Sequence, residues 1–321
     1  MKSIKYLAAA AALTVGAVAW AQDTFPSRPI TIVVPYPAGG TSDNQVRMFK
    51  DELSKLLGQP VVVDNKPGAS GAIGAQFVAR AAADGHTLLY PNNGVVIAPL
   101  LNDKAGYDAI KDFKPVTQVT AVPMVLVTNK SVPGTNLSDF LKQARQVPNG
   151  LLYASAGTAS YGHLASTRLG SMTGLKLQHV PYKGEANTTL AVRTGEVQML
   201  LTTPSSAMMG QVREGHLNLL AVASEGPSPV VPGVPTINSV VPGFVAEVWF
   251  GLLAPAGTPD AVVNKINAAM RQVMANEELA KRLLPTGAQP RVSSPAELGG
   301  VMKREQSDWR EIITKHNIKA D

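Results

Sequence analysis

Short apolar runs alternate with amphipathic segments along most of the chain. The run Ile30–Val34 is rich in β-branched residues, which favours a buried strand. The apolar positions then change to a helical period at Val46, Phe49 and Leu53, as expected for a helix with one buried face. The same alternation recurs downstream and predicts an α/β fold whose sheets are mostly parallel, with helices on both faces.

Two interruptions divide this alternation. Pro123 splits an apolar stretch, and residues 226–243 are rich in Pro and Gly without any period, which indicates a loop. We expect the chain to cross between two α/β domains at these places and to form a clamshell. In open α/β sheets, ligands bind outside the carboxyl ends of the strands. The predicted domains are residues 22–123 with 246–321, and residues 124–245.

The turn after the first predicted strand is a candidate anion site. Gly39 and Gly40 soften the turn, and the segment from Ser42 to Gln45 fits a helix-capping box. A strand, a glycine turn and a helix start together direct free N–H groups and a partial positive charge at one point. The alternative is that Gly39 and Gly40 only form a tight connection.

The N-terminal segment has the pattern of a secretory signal peptide. Lys2 and Lys5 precede an alanine-rich apolar stretch, and Ala19-Trp20-Ala21 forms an A-x-A cleavage site. The apolar stretch is too short to span a bilayer. We therefore expect residues 1–21 to be removed and the mature protein to lie in the periplasm.

Charge and cysteine content exclude several classes of function. The net charge of +6 is scattered, and no basic run accompanies an aromatic platform, so we expect no nucleic-acid partner. The chain has no cysteine, which excludes disulfides, thiol catalysis and cysteine-based metal sites.

No motif indicates a cofactor, a metal ion or catalysis. The glycines from Gly68 to Gly74 have the spacing G-x-x-G-x-x-G and do not follow the first strand, unlike a dinucleotide-binding loop. The histidines lack the spacing of metal ligands. Ser155 and Ser160 lie near His163 in the sequence, but no G-x-S-x-G elbow surrounds either serine.

Neutral polar residues recur where the predicted strands end. Any one of these loops could reflect turn chemistry alone. Together, many neutral donors with little catalytic chemistry suit reversible capture of an anion. The loops contain Thr41 and Ser42; Asn92 and Asn93; Ser155, Thr158, Ser160 and Tyr161; Tyr182; and Thr202, Thr203 and Ser205.

Several ordered motifs carry a resemblance to a known family. From about Phe25 to Asp321 the chain resembles the Bug receptors, the periplasmic solute-binding components of tripartite tricarboxylate transporters. The motifs are FPSRPI at 25–30, VPYPAGGTSD at 34–43, LGQPVVVDNKPG at 57–68, DGHTLL at 84–89, HVPYKG at 179–184 and WFGLLAPAGTP at 249–259.

The resemblance implies a Venus-flytrap periplasmic binding protein with two α/β domains and a small carboxylate in the cleft. It also implies delivery of the ligand to membrane transporter subunits, or, in some relatives, presentation to a sensor kinase. We expect no cofactor and a monomer. The candidate ligand-binding residues are Tyr36, Ala38, Gly39, Gly40, Thr41, Ser42, Asn92 and Asn93 on one side, and Ser155, Gly157, Thr158, Ser160, Tyr161, Tyr182, Lys183 and Thr202 on the other.

Roles remain open for some of these residues. Tyr36 and Tyr161 are expected to wall the cleft, with core packing as the alternative for Tyr36. Lys183 either pairs with a carboxylate or is a solvated surface lysine. Asp43 is expected to cap its helix rather than to contact the anion.

Two departures from the family pattern bear on the ligand. Relatives often carry an acidic residue where this chain aligns Ala191, and Asp or Asn where it aligns Thr202. The loss of acidic groups argues against a ligand ammonium and favours a di- or polycarboxylate, or an aromatic acid, over an amino acid. The rival functions are a receptor that only signals and an enzyme on a binding-protein scaffold.

Overall fold

Eleven strands form the framework of the region that the structure describes. The structure, a computed structural model, describes residues 25–134 and 136–319, so the predicted signal peptide at 1–21 lies outside the described residues. No helix within these two ranges combines the length and the apolar character needed to cross a membrane. The strands are β1 (Ile30–Val34), β2 (Val61–Asn65), β3 (Thr87–Leu89), β4 (Phe113–Pro123), β5 (Val125–Asn129), β6 (Leu151–Ser155), β7 (Leu177–Pro181), β8 (Met199–Thr202), β9 (Leu217–Val222), β10 (Glu247–Pro255) and β11 (Gln289–Pro290).

Ten α-helices occupy the connections between the strands in the described ranges. The sequence did not predict the helices at 94–101 and 206–213, since it indicated only polar turns where these helices start. The helices are α1 (Thr41–Leu57), α2 (Ala72–Ala79), α3 (Gly94–Leu101), α4 (Leu137–Ala144), α5 (Tyr161–Thr173), α6 (Glu185–Thr194), α7 (Ser206–Arg213), α8 (Asp260–Met274), α9 (Glu277–Leu283) and α10 (Pro295–Lys315).

The strands form two mixed sheets, a six-stranded sheet in the order β11-β4-β10-β3-β1-β2 and a five-stranded sheet in the order β7-β6-β8-β5-β9. In the first sheet β1 is parallel to β2 and β3, whereas β10 is antiparallel to β3 and β4. In the second sheet β5 is antiparallel to β8 and β9, and β6 is parallel to β7 and β8. The prediction of mostly parallel sheets is therefore wrong. The chain leaves the first sheet along β4 and returns along β10, so these neighbouring strands must run in opposite directions.

The two sheets are joined where three chain segments meet. β4 ends at Pro123 and β5 begins at Val125, so Met124 alone separates a strand of the first sheet from a strand of the second. The N–H of Met124 donates to the Ala246 carbonyl (2.9 Å), and its carbonyl accepts from the N–H of Ala223 (2.7 Å). The N–H of Ala246 in turn donates to the Ala223 carbonyl (2.8 Å). Three crossing segments are thus hydrogen-bonded to one another beside the cleft.

Each sheet has its own hydrophobic core, and α10 bridges the two halves. Ile32 and Phe49 belong to the core of the first sheet, and Leu126 and Phe140 to that of the second. Trp309 of α10 packs in a smaller cluster that includes residues from both halves. The molecule is therefore two α/β domains, each able to bury its own apolar surface.

The start of α1 differs from the predicted capping box. Gly40 is the N-cap residue, and no side chain caps the helix. The Gln45 side chain is buried, and its Oε1 accepts hydrogen bonds from the hydroxyls of Tyr90 (2.7 Å) and Thr120 (2.9 Å). These bonds hold the side chain against the sheet, so it does not reach back to the helix start. The helix ends at Gly58, which adopts the left-handed conformation.

Candidate functional site

The carboxyl ends of the central strands from both sheets face one cleft. Glu247, the first residue of β10, pairs with Pro123, the last residue of β4. In the second sheet Val125 at the start of β5 pairs with Thr202 at the end of β8. The cleft between the sheets contains a cavity of about 380 Å³. It is lined by Tyr36, Thr41, Ser42, Asn92, Val122, Val248, Phe250 and Thr286 on the side of the first sheet, and by Glu185, Thr203, Pro204 and Ser205 on the side of the second.

The N-terminus of α1 borders this cavity. The N–H of Gly40 donates to the Pro37 carbonyl (3.3 Å), and the N–H of Gly39 donates to the Asp43 carboxylate (2.8 Å). The N–H groups of Thr41 and Ser42 come next and have no backbone partner among the described residues. Because α1 is a 17-residue helix, these two donors lie at the positive end of a substantial dipole.

Asp43 braces the turn from inside the protein. Its carboxylate is buried, and Oδ2 accepts from both Gly39 N and Arg47 Nε (2.9 Å). The hydrogen bond from Arg47 is the largest cause that holds the pKa of Asp43 below its usual range. Asp43 thus stays ionised and holds the turn before α1, and it does not cap the helix as expected.

Tyr36 and Asn92 form a linked pair at the back of the cavity. The Tyr36 hydroxyl donates to Asn92 Oδ1 (2.6 Å), which also accepts from the N–H of Gly94 (2.8 Å). Burial raises the pKa of Tyr36 to about 12, so the hydroxyl keeps its proton at neutral pH. The amide NH₂ of Asn92 donates to no other described residue and remains available to a ligand.

The opposite wall is formed by the loops after β7 and β8. Glu185 is the first residue of α6, and its Oε1 accepts from the Thr203 hydroxyl (3.1 Å). Ser205 caps α7, since its hydroxyl accepts from the N–H of Met208. Glu185 and Ser205 were absent from the candidate residues, although Ser205 lies in a polar loop that the sequence analysis identified.

The predicted residues of the first turn and the next strand end lie at or beside the cavity, with one exception. Tyr36, Thr41, Ser42 and Asn92 line the cavity. Ala38, Gly39 and Gly40 form the turn next to it. Asn93 is buried, and its side chain donates to the Glu247 carbonyl (3.4 Å) rather than facing the cavity.

The structure does not bring the loop after β6 to the cavity lining. Ser155 Oγ donates to the Gly157 carbonyl (2.8 Å) and lies 2.6 Å from His179 Nε2. Ser160 caps α5 by accepting from the N–H of His163. Thr158 lines a different cavity of about 700 Å³, beside His163 and the end of α10.

The remaining four predicted residues also lie outside the cavity lining. The Tyr161 hydroxyl donates to the Glu247 carbonyl (3.1 Å) of the first sheet, and its ring packs edge-on against Trp309. The Tyr182 ring packs against the core of the second sheet, and burial together with Glu196 raises its pKa to about 12. Lys183 is exposed, and Thr202 is buried in the β8 ladder.

Ala191 does not determine the charge of the distal side of the cleft, contrary to expectation. Ala191 is buried in the core of the second sheet and does not reach the cleft. Glu185, in contrast, places a carboxylate in the cavity wall. The distal side of the cleft is therefore acidic rather than stripped of acidic groups.

Two of the histidines, His163 and His179, form a stacked pair away from the cleft cavity. The rings of His163 and His179 are 3.8 Å apart and nearly parallel, and His163 Nδ1 accepts from the N–H of Ala159 (3.0 Å). Burial, with a smaller effect from His179, lowers the pKa of His163 to about 4. Within the described residues, no group of three or more histidines and carboxylates could hold a metal ion.

Comparison with known proteins places these features in one family. The model of the tripartite tricarboxylate transporter family receptor matches residues 45–318. Protein BugT of Bordetella pertussis is 32% identical over 300 residues, which cover 92% of this chain and 92% of BugT. A TctC solute-binding protein from Polaromonas, solved without ligand, is 30% identical, with a TM-score of 0.81 over 91% of this chain and 100% of its own. An R. palustris protein solved with adipate is 32% identical, with a TM-score of 0.71 over 92% of this chain and 100% of its own. The chain belongs to the tripartite tricarboxylate transporter receptor family, whose members are periplasmic solute-binding proteins with two α/β domains.

Proposed function

We propose that this chain is a periplasmic receptor that captures a small organic carboxylate in the cleft cavity and delivers it to a tripartite tricarboxylate-type transporter. Membership of the receptor family supports the role, and the adipate in the R. palustris relative supports the class of ligand. The observation that carries the proposal is the N-terminus of α1, where Thr41 and Ser42 present N–H groups without a described backbone partner to a partly open cavity.

The cavity wall explains how a carboxylate can be held without a cation. Among the described residues that line the cavity, none on either side of the cleft is Lys, Arg or His. The N–H groups of Thr41 and Ser42, their hydroxyls and the amide of Asn92 supply the hydrogen bonds instead. Each hydrogen bond to a charged group contributes roughly 1.5–3 kcal/mol. A few such bonds give useful affinity and still permit release.

Binding is proposed to close the two domains about the crossing segments. The domains are residues 22–123 with 246–321, and residues 124–245. The hydrogen-bonded segments at Met124, Ala223 and Ala246 are the proposed hinge, since a few positions between rigid sheets can absorb such a rotation. No chemical conversion of the ligand is part of this function, and residues 1–21 are the proposed export signal.

A thermal-shift screen of the purified mature protein tests the function. The probes are hexanoate, adipate, malate, citrate, benzoate and glutamate, with hexanamide as the uncharged control. A ligand at about a hundred times its dissociation constant stabilises the folded state by roughly 2.7 kcal/mol. At least one carboxylate is expected to raise Tm, and hexanamide is not. No shift with any acid at millimolar concentration contradicts the proposal.

Two matched serine variants locate the site. Ser42→Ala removes a hydroxyl from the cleft cavity, whereas Ser171→Ala removes one from the cavity of about 700 Å³. We expect Ser42→Ala to weaken binding of the best acid and Ser171→Ala to leave it unchanged. The reverse result places the ligand in the other cavity and rules out the proposed site.

A further inference from the structure

Glu185 is an acidic side chain in a cavity otherwise lined by neutral groups. Among the described residues that line the cavity, it alone carries a formal charge at neutral pH. Its Oε1 accepts from the Thr203 hydroxyl, and its other oxygen accepts from no described residue. One carboxylate oxygen is thus available as an acceptor on the wall opposite the N-terminus of α1.

The nearest basic residue along the chain does not neutralise this charge. Lys183 lies two residues before Glu185; both residues are exposed, and the described residues show no ion pair between the two. Thr203 donates its hydroxyl proton to Glu185, so it cannot give the same proton to a ligand. The second-sheet wall therefore offers the free oxygen of Glu185 as an acceptor, and the Ser205 hydroxyl is the one side-chain donor left on that wall among the described lining residues.

We propose that Glu185 selects acids that carry a hydrogen-bond donor, a hydroxyl or an ammonium group, at the end opposite to the captured carboxylate. This inference rests on the proposed function, because it takes one ligand carboxylate to lie at the N-terminus of α1. A donor satisfies the free oxygen of Glu185, whereas a second carboxylate meets a like charge in a partly enclosed space. Glu185 thus acts by attraction of one ligand class and by repulsion of another.

A ligand series of constant length tests the selection. The six-carbon probes are hexanoate, 6-hydroxyhexanoate, 6-aminohexanoate and adipate, each titrated by calorimetry into the wild type, Glu185→Gln and Glu214→Gln. Glu214 is an exposed glutamate at the end of α7 and serves as the matched control, since its loss changes net charge equally. The wild type and Glu214→Gln are expected to bind at least one donor-bearing acid tenfold or more tightly than adipate.

Glu185→Gln is expected to reduce this preference to less than threefold, mainly by tighter binding of adipate. If 6-aminohexanoate loses much more affinity than 6-hydroxyhexanoate in this variant, the selected donor is an ammonium; equal losses identify a hydroxyl. Tightest binding of adipate by the wild type, or a preference unchanged in Glu185→Gln, overturns the selection and leaves the receptor function intact. Failure of every acid to bind the wild type overturns the receptor function as well.

Discussion

Replacement of Thr41 by proline removes two proposed ligand donors, the N–H and the hydroxyl, without removing anything that the helix needs. Thr41 is the first residue of α1, where the N–H has no partner within the helix, and proline is favoured at this position. The preceding residue, Gly40, has φ −74° and ψ 172°, an extended conformation that a following proline permits. The variant therefore deletes an N–H group from the cavity wall while the fold is preserved.

The expected loss of affinity follows from the bond that is lost. A hydrogen bond from a neutral N–H to a carboxylate contributes roughly 1.5–3 kcal/mol. Because about 1.4 kcal/mol corresponds to a factor of ten, Thr41→Pro is expected to bind roughly tenfold to a hundredfold more weakly than Thr41→Ala, which keeps the N–H. The free energy of unfolding of the ligand-free protein is expected to stay the same or to rise by up to about 1 kcal/mol, since proline restricts the unfolded chain.

Calorimetric titration of the best acid from the screen measures the effect, with two controls. Thr41→Ala removes the hydroxyl and keeps the N–H, so the ratio of the two affinities isolates the N–H group. Glu277→Pro places a proline at the first position of α9, away from the cleft cavity, and is expected to bind as the wild type does. Equal affinities of Thr41→Pro and Thr41→Ala would refute the role given to the helix N-terminus.

Two further predictions concern buried polar groups. Gln45→Leu leaves the hydroxyls of Tyr90 and Thr120 without their acceptor, and each unsatisfied donor costs about 1–3 kcal/mol. The substitution also removes the buried Gln45 Nε2, which has no described partner, so one such cost is recovered and urea unfolding is expected to show a net loss of roughly 1–3 kcal/mol; the absence of any loss would contradict this. Glu305 accepts from Trp249 Nε1 (2.9 Å), and burial raises the pKa of Glu305 to about 8. In the unfolded chain the Glu305 carboxyl loses its proton near the ordinary pKa of 4.5, so the free energy of unfolding of the wild type is expected to fall as pH rises from 4.5 to about 8. Glu305→Gln does not titrate, so its stability relative to that of the wild type is expected to increase between pH 5 and 9. A difference that does not change with pH would argue against a buried, protonated Glu305.

Sequence patterns predicted the local features of the first turn because those features depend on neighbouring residues. The β-branched run at Ile30–Val34 and the helix from Thr41 both formed, and Gly58 ended the helix. The capping box failed for a reason that the local pattern cannot show. Gln45 has the right spacing for a cap, but Tyr90 and Thr120, distant in sequence, hold its side chain in the core.

The second wall of the cavity could not be predicted to the residue. Thr202 and Thr203 are equivalent in the sequence, yet Thr202 is the last residue of β8, whose residues are all buried, whereas Thr203 follows the strand in the loop that reaches the cavity. Glu185 is an acidic residue in the first turn of a helix, where a negative charge is common because it complements the helix dipole. Its position in the sequence therefore does not distinguish a residue of the cleft from an ordinary helix start. Which loops of the second domain face the first depends on how the two domains are oriented, and hydrophobic periodicity carries no information on that orientation.

The proposed carboxylate site at the start of α1 is tested most directly by a crystal structure of the mature protein with the acid that gives the largest thermal shift. The account predicts a carboxylate in the cleft cavity with oxygens within about 3 Å of the backbone nitrogens of Thr41 and Ser42. A carboxylate bound instead in the cavity beside His163 and Lys315, with the start of α1 making no contact to it, would contradict the account.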